Sequence, residues 1–370
     1  MNSFDIFDCP RRSALSPIAV WFLVLCVLAA CGESDREAPG RASGKTTRAS
    51  ASQDRVTTND YGLRVEIRGE RSVTRSWVEP EVEQVASLSE GEEYMLFNPR
   101  LARVSESGRL YVYDYGDYTV KAFTREGEYV ATFGRGQGQG PGEMTMMSDV
   151  GVWRDSLVYV VDPKQRRVSF FDMDGDFLRS KFYEVPVARL AFAGDSTEYM
   201  VLSHASPSFL RITTKGRQMT ISQLLPRDVH PIMLDGHLHT SQGTALFVPL
   251  YFPVILTFSP GDTTGIAYPT PDYGRPRPKA VTMDGGGIRA PADRFHLKST
   301  LSGGVLTVEN PDPETDGLKF DVYDASEMEY MRSVQLSVDG DDALYARGAG
   351  IVATVRDATV HIYAVKRREK

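Results

Sequence analysis

Two stretches of this chain align without a gap. Leu110 opens "LYVYDYGDYTVKAFTREGEYV" and Val158 opens "VYVVDPKQRRVSFFDMDGDFL". Tyr111 matches Tyr159, Asp114 matches Asp162, Val120 matches Val168, Phe123 matches Phe171 and Gly127 matches Gly175. Self-similarity at a fixed spacing of this size marks a repeat architecture, because each unit must bury its apolar face on a neighbour. Within each unit the apolar residues form short, roughly alternating runs rich in Val, Tyr and Phe, separated by polar turns, which is strand chemistry. "REGE" (Arg125 to Glu128) and "MDGD" (Met173 to Asp176) read as tight hairpin turns in which glycine supplies a positive φ. Strands labelled a to d are predicted at 99–104, 110–114, 119–123 and 129–133, and again at 149–153, 157–161, 167–171 and 177–182. Four antiparallel strands in a unit of this length make a propeller blade.

"YVYDYGDYTVKAFTREGEYVATFG" followed by "GQGPGEM" resembles the NHL-type repeat of six-bladed β-propeller lipoproteins, in which a Gly-x-Gly-Pro-Gly-Glu run often follows the fourth strand. The likeness is close over residues 96–182 and loose elsewhere. Weaker units follow at about 187–222, 227–267 and 294–336. A sixth has only "ALYARG", "GIVATV" and "TVHIYAV" before the chain ends at Lys370. "EVEQVASL", Glu81 to Leu88, would supply its missing strand. The expected fold is therefore all-β: a six-bladed propeller of four-stranded antiparallel blades, closed by N- and C-terminal strands in one blade. Closure leaves no open edge between the first and last blades. The hairpin-like "LRVEIRGERSVTRSW", Leu63 to Trp77, stands outside this count.

The run "TFGRGQGQGPGEM", Thr132 to Met144, then becomes a d–a connection between two blades. Its glycines alternate strictly, without the GxGxxG spacing, and no helical pattern follows, so a phosphate cradle is not expected. "DMDGD", Asp172 to Asp176, places its Gly fourth, where a calcium loop needs it sixth, and a hairpin turn accounts for it.

The N-terminus fixes the expected compartment. Arg11 and Arg12 precede an apolar run from Ile18 to Ala30, too short to span a bilayer and right for a secretory signal. It ends in "LAAC", which resembles the lipobox of bacterial lipoproteins; in that family the cysteine is acylated, with chains such as palmitate, and becomes the mature N-terminus. Three segments are expected: a signal peptide at 1–30, lipidated Cys31 and a polar tether at 31–60, and the propeller at 61–370. The tether contains "GRASGKT", Gly40 to Thr46, one residue short of a P-loop and lacking its flanking strand and helix. The expected location is the bacterial cell envelope, lipid-anchored and extracytoplasmic, on the outer membrane where the cell has two. Cys9 and Cys26 leave with the signal, so no internal disulfide can form, and stability must come from core size. A formal net charge of −7 argues against a nucleic-acid partner. A monomer is expected.

In a four-stranded meander the b–c loops and d–a connections share one face. The unusual sequence falls there: the glycine run, the long connection 268–295, and the loops "YGDY" and "PKQRR". Candidate binding residues are Tyr115, Tyr118, Arg135, Gln137, Gln139, Lys164 and Arg166. Arginine offers a planar fork for carboxylate, and tyrosine a rigid aromatic face with a polar tip. The expected partner is a protein, peptide or glycan. The chain has no HExxH, GxSxG or CxxC, and no catalytic residue, metal ligand or cofactor is assigned. "HLH", His237 to His239, puts two imidazoles on one strand face without a third ligand nearby in sequence. The alternative is a metal-dependent propeller hydrolase, lactonase or lyase holding a channel cation such as calcium, to which Glu309 and Asn310 could contribute. Inward carboxylates from three or more blades would favour that enzyme; an apolar plug would favour a binder.

Overall fold

Every residue of Leu110–Asp114 is buried, although side chains alternate along a strand. Both faces of the strand must therefore be covered. Leu110 and Val112 pack with Leu344, Ala353 and Val355 on one side, and Tyr111 and Tyr113 with Val150, Val158 and Val160 on the other. A blade sandwiched between two blades has that property, and it recurs around the molecule.

The computed structural model describes residues 61, 63–153, 156–203, 208–222, 224, 229–262, 264–311 and 317–366, which fall within the compact unit Asp54–Lys370. The signal, Cys31, the tether and "GRASGKT" lie outside the described residues. Blade 1 comprises Pro99–Val104, Leu110–Asp114, Thr119–Phe123 and Tyr129–Phe133; blade 2 comprises Asp149–Trp153, Leu157–Asp162, Arg167–Phe171 and Phe177–Phe182. Blade 3 runs through Val187–Ala193, Thr197–Leu202, Ser208–Thr214 and Arg217–Ser222. Blade 4 has Gly236–Ser241, Thr244–Pro249, Val254–Phe258 and Gly265–Pro269, and blade 5 has Ser299–Ser302, Val305–Glu309, Leu318–Asp324 and Glu329–Leu336. Blade 6 takes Asp342–Ala346, Ile351–Arg356 and Thr359–Val365 from the C-terminus and Val82–Leu88 from the N-terminus. Its closing pair is antiparallel, with Val360 opposite Leu88 and Val365 opposite Val82. The chain is a six-bladed β-propeller. Six apolar clusters fill its six blade-to-blade seams.

The segment 63–78, hairpin-like in sequence and outside the strand count, is not a hairpin: its two short strands pair with different blades and form two straps. Val65–Ile67 adds a parallel fifth strand to the outer edge of blade 4, and Trp77–Val78 does so on blade 5. The turn glycines of the repeat have a packing reason besides their dihedrals. Gly127 and Gly175 have φ of 92° and 96°, and a Cβ on either would lie 2.3 Å from Ala86 Cβ or 2.4 Å from Thr132 O on the preceding blade's outer strand. "DMDGD" is such a turn, with Asp172 Oδ1 accepting from the amides of Asp174 and Asp176.

Candidate functional site

The glycine run is the connection from blade 1 to blade 2. Arg135 N donates to Gly142 O at 2.9 Å, Met144 N to Gly136 O at 2.9 Å and Gly138 N to Met144 O at 3.1 Å, folding the run into a compact hairpin-like loop. Gly134, Gly136 and Gly142 have φ of 111°, 91° and 78°, a region that penalises a side chain. The strict alternation separates two rows. The glycines are half-buried or buried against the blade, whereas Arg135, Gln137 and Gln139 point into solvent.

A clamp from blade 2 holds the loop from below. The Arg167 guanidinium is buried and donates to Gln139 O at 3.0 Å, to Gly140 O at 2.9 Å and to Glu143 O. Gln165 Nε2 donates to Gly138 O at 2.9 Å, and Glu143 Oε2 accepts from Gly140 N at 2.7 Å. The repeated Asp at the end of strand b anchors the start of each inner strand. Asp114 accepts from the amides of Phe97 and Asn98 and from buried Lys121; Asp162 accepts from those of Thr145 and Met146. These bonds hold Asp114 below the usual carboxylate range although burial acts to raise it.

The expected binding residues divide. Arg135, Gln137 and Gln139 are exposed in one row, with the Tyr118 loop behind them: a Cβ on Gly134 would sit 3.5 Å from Tyr118 O. Exposed Lys164 lies beside Gln165, across the blade seam. Tyr115 turns inward: its hydroxyl donates to Met147 O at 2.8 Å, and burial raises its pKa. Arg166 turns away, donating to Glu184 O at 3.2 Å. Tyr118 and Arg166 occupy the same repeat position, and both adopt left-handed φ, 59° and 51°. Sequence reasoning missed Phe97 and Met146, whose side chains stand exposed in the connections entering blades 1 and 2, with Phe97 packed on Gly116. Their signal was an apolar residue where a polar turn is the rule.

The channel carries carboxylates from three blades, Asp149, Asp235 and Asp342, the lining expected to favour the enzyme, but each is paired with a cation. Three cation–carboxylate pairs close it, one at each odd-to-even blade step: Arg103 with Asp149 at 3.3 Å, Arg189 with Asp235 at 3.1 Å, and Lys298 with Asp342 at 2.5 Å. In blades 1 and 3 the inner strand bulges immediately before the arginine, which re-aims its side chain. Arg103 reaches across to Leu238 O on blade 4 at 3.2 Å. The aspartates also accept backbone amides, Asp149 from Leu190 and Asp342 from Leu101, so each ties three blades together. The two arginines stand in "LARV" at 101–104 and "VARL" at 187–190. Among the described residues no group of three or more His, Cys, Asp or Glu is arranged to hold a metal ion. His237 and His239 share a face, as expected, but bond blade 5: His237 Nε2 with Leu297 O at 2.9 Å and His239 Nε2 with Ser299 Oγ at 2.8 Å.

Burial and the positive charge of Arg189 push His237 down to about 3, and burial beside Arg103 holds His239 well below its ordinary value. Glu309 goes the other way. Burial, against the pull of Lys298 and with Asp342 nearby, pushes it up to about 8. The folded chain thus refuses a proton at His237 that the unfolded chain takes below about 6.5, and stability falls as pH drops from there towards 3. It keeps a proton on Glu309 that the unfolded chain releases above about 4.5, so stability also falls as pH rises from there to about 8. Glu309→Gln should flatten the alkaline limb and raise stability at pH 8.5 by a few kcal/mol, since each tenfold change in a protonation equilibrium is worth about 1.4 kcal/mol. Thermal melts of both proteins at pH 6 and pH 8.5 check this; equal slopes would refute it.

Residues 87–254, spanning blades 1 to 3 and part of blade 4, match the DUF5128 family model, described as a six-bladed β-propeller. Among solved structures, the chain is similar to a protein of Bacteroides fragilis NCTC 9343 described as exported: 10% identity, 78% of this chain and 95% of that one covered, TM-score 0.50. It is also similar to a DUF4221-family member from Bacteroides vulgatus, at 12% identity, 78% and 99% coverage and TM-score 0.47. A streptogramin B lyase aligns at 12% identity, 72% and 78% coverage and TM-score 0.43. At these identities the likeness is one of fold. No curated protein sequence matches the chain.

Proposed function

We propose that this propeller is a lipid-anchored, extracytoplasmic scaffold that captures an anionic or carbohydrate-like ligand on the face carrying its d–a and b–c loops. The observation that carries the reading is the glycine loop. Its inner row is fastened to blade 2 by Arg167 and Gln165, while Arg135, Gln137 and Gln139 stand outward from that fixed base. A displayed row that is already ordered loses little entropy when a ligand binds. Phe97 and Met146 add apolar area on the same face for stacking. The channel-enzyme alternative has less support, because Asp149, Asp235 and Asp342 are each engaged by a cation.

Two experiments test the two halves. Replacing Arg135, Gln137 and Gln139 together by Ala should leave the melting temperature nearly unchanged, since exposed substitutions usually stay within about 0.5 kcal/mol. It should abolish capture of ligand on a glycan array or of partners from a cell extract. If the triple variant captures what the parent captures, this face is not the site. The anchor is tested by labelling cells with a radioactive fatty acid. Incorporation should depend on Cys31, and equal labelling of Cys31→Ser would sink the lipid reading. Two or more acyl chains are needed for stable anchoring.

A further inference from the structure

The connection from blade 4 to blade 5, itself one of the d–a connections, carries a hairpin, Val281–Thr282 paired with Ile288–Arg289. Its base is fixed, since Tyr273, Ala280 and Ala290 pack on the seam between blades 3 and 4. Its tip is not: every residue from 281 to 289 is exposed, including the apolar Val281, Met283 and Ile288. The chain carries −7 overall, yet residues 274–294 hold five basic residues against two acidic ones. Lys279 and Arg289, which flank the apolar tip, are exposed and form no ion pair among the described residues.

Tyr61 says where the tether arrives. Its hydroxyl donates to Arg275 O at 2.9 Å and accepts from Gly274 N at 2.6 Å, and its ring meets Tyr273 edge-on at 5.2 Å. The chain therefore joins the propeller at the root of this hairpin. We infer that the hairpin is a membrane contact: its apolar tip enters the headgroup region of an anionic bilayer while Lys279 and Arg289 meet lipid phosphates. The inference rests on reading Cys31 as lipidated and residues 31–60 as a tether. Anchoring the chain at a point that enters beside this hairpin raises the effective concentration of a weak contact. Asp284 at the turn limits how deep the tip goes. The glycine loop, the blade 1 to blade 2 connection, is on the same face but three blade steps away around the ring, so the two loops do not compete for one spot.

Sedimentation with lipid vesicles tests this in the chain from residue 31 carrying Cys31→Ser, which has neither signal nor acyl group. It should partition more strongly onto phosphatidylglycerol–phosphatidylcholine vesicles than onto phosphatidylcholine alone. Lys279→Glu with Arg289→Glu should weaken that partitioning at least tenfold, given the worth of one basic residue at an anionic surface. Ile288→Trp should shift its emission to the blue on anionic vesicles only. Equal partitioning of parent and double variant, or an unmoved emission, would overturn the inference. So would a hairpin that retains a soluble protein but no vesicle. Fatty-acid labelling of Cys31 is read separately, so a failed anchor and a failed hairpin are distinguishable.

Discussion

Deleting residues 357–370 should unfold the whole ring rather than fray one end. Thr359–Val365 is paired on both sides, with Ile351–Arg356 and with Val82–Leu88. Its removal strips two ladders and takes Val360 and Ile362, both fully buried, out of the seam between blades 6 and 1. Each such side chain contributes about 1.5–3 kcal/mol by burial. The loss also leaves the N-terminal strand without a partner and exposes Leu88, Leu110 and Phe123 in the same seam. Together these are comparable to the roughly 5–15 kcal/mol that separates folded from unfolded domains. The expected result is the loss of a cooperative thermal transition for the truncated chain. A truncated protein that melts in one transition at the parent's temperature would show that the closing blade is dispensable.

How far the sequence could be read depended on where the determining forces lie. The strands of blades 1 and 2 were legible almost to the residue, because their short Val-, Tyr- and Phe-rich runs and the turn glycines repeat between them. Ring closure was legible too, since one incomplete unit at the C-terminus and one spare strand at the N-terminus have a single solution. The straps Val65–Ile67 and Trp77–Val78 were not. Segments of three and two residues carry no periodicity, and their places are chosen by the free edges of blades 4 and 5. The channel ring was hidden for another reason. Arg103 and Arg189 lie in stretches that read as ordinary inner strands, and the bulges that aim them carry no signature in sequence. The glycine loop was placed correctly as a corner, but Arg167, which fastens it, looked like one of two arginines in an exposed turn. Burial of the second arginine follows from its position at the start of strand c, where blade 1 has buried Thr119.

Arg75 offers the largest single-residue effect. It stands between the two straps and forks onto two carboxylates at once. Nη1 donates to Asp272 Oδ1 at 3.2 Å and Nε to Asp321 Oδ1 at 3.1 Å, while Nη2 serves both, reaching Asp321 Oδ2 at 3.0 Å. Asp272 belongs to the blade 4 to blade 5 connection and Asp321 to blade 5, so one guanidinium joins strap, connection and blade. Burial alone would raise the Asp272 pKa, and the Arg75 fork, helped by Arg275, holds it below the usual range. Arg75→Met keeps much of the aliphatic packing but leaves two buried carboxylates facing each other, with only the exposed Arg275 still on Asp272 at 2.9 Å. Breaking such a site by removing one partner costs about 3–5 kcal/mol. The pH dependence should also change sign. In the parent, the Asp272 contribution is present above its unfolded pKa and fades as pH falls through the lower folded value. In the variant, folding favours a protonated carboxyl, so stability drops as pH rises towards neutrality. Urea unfolding at pH 5 and pH 7.5 should therefore show a larger deficit at the higher pH, and adding Asp321→Asn to Arg75→Met should recover part of it. A deficit under about 1 kcal/mol at pH 7.5 would mean that water, not Arg75, keeps these carboxylates charged.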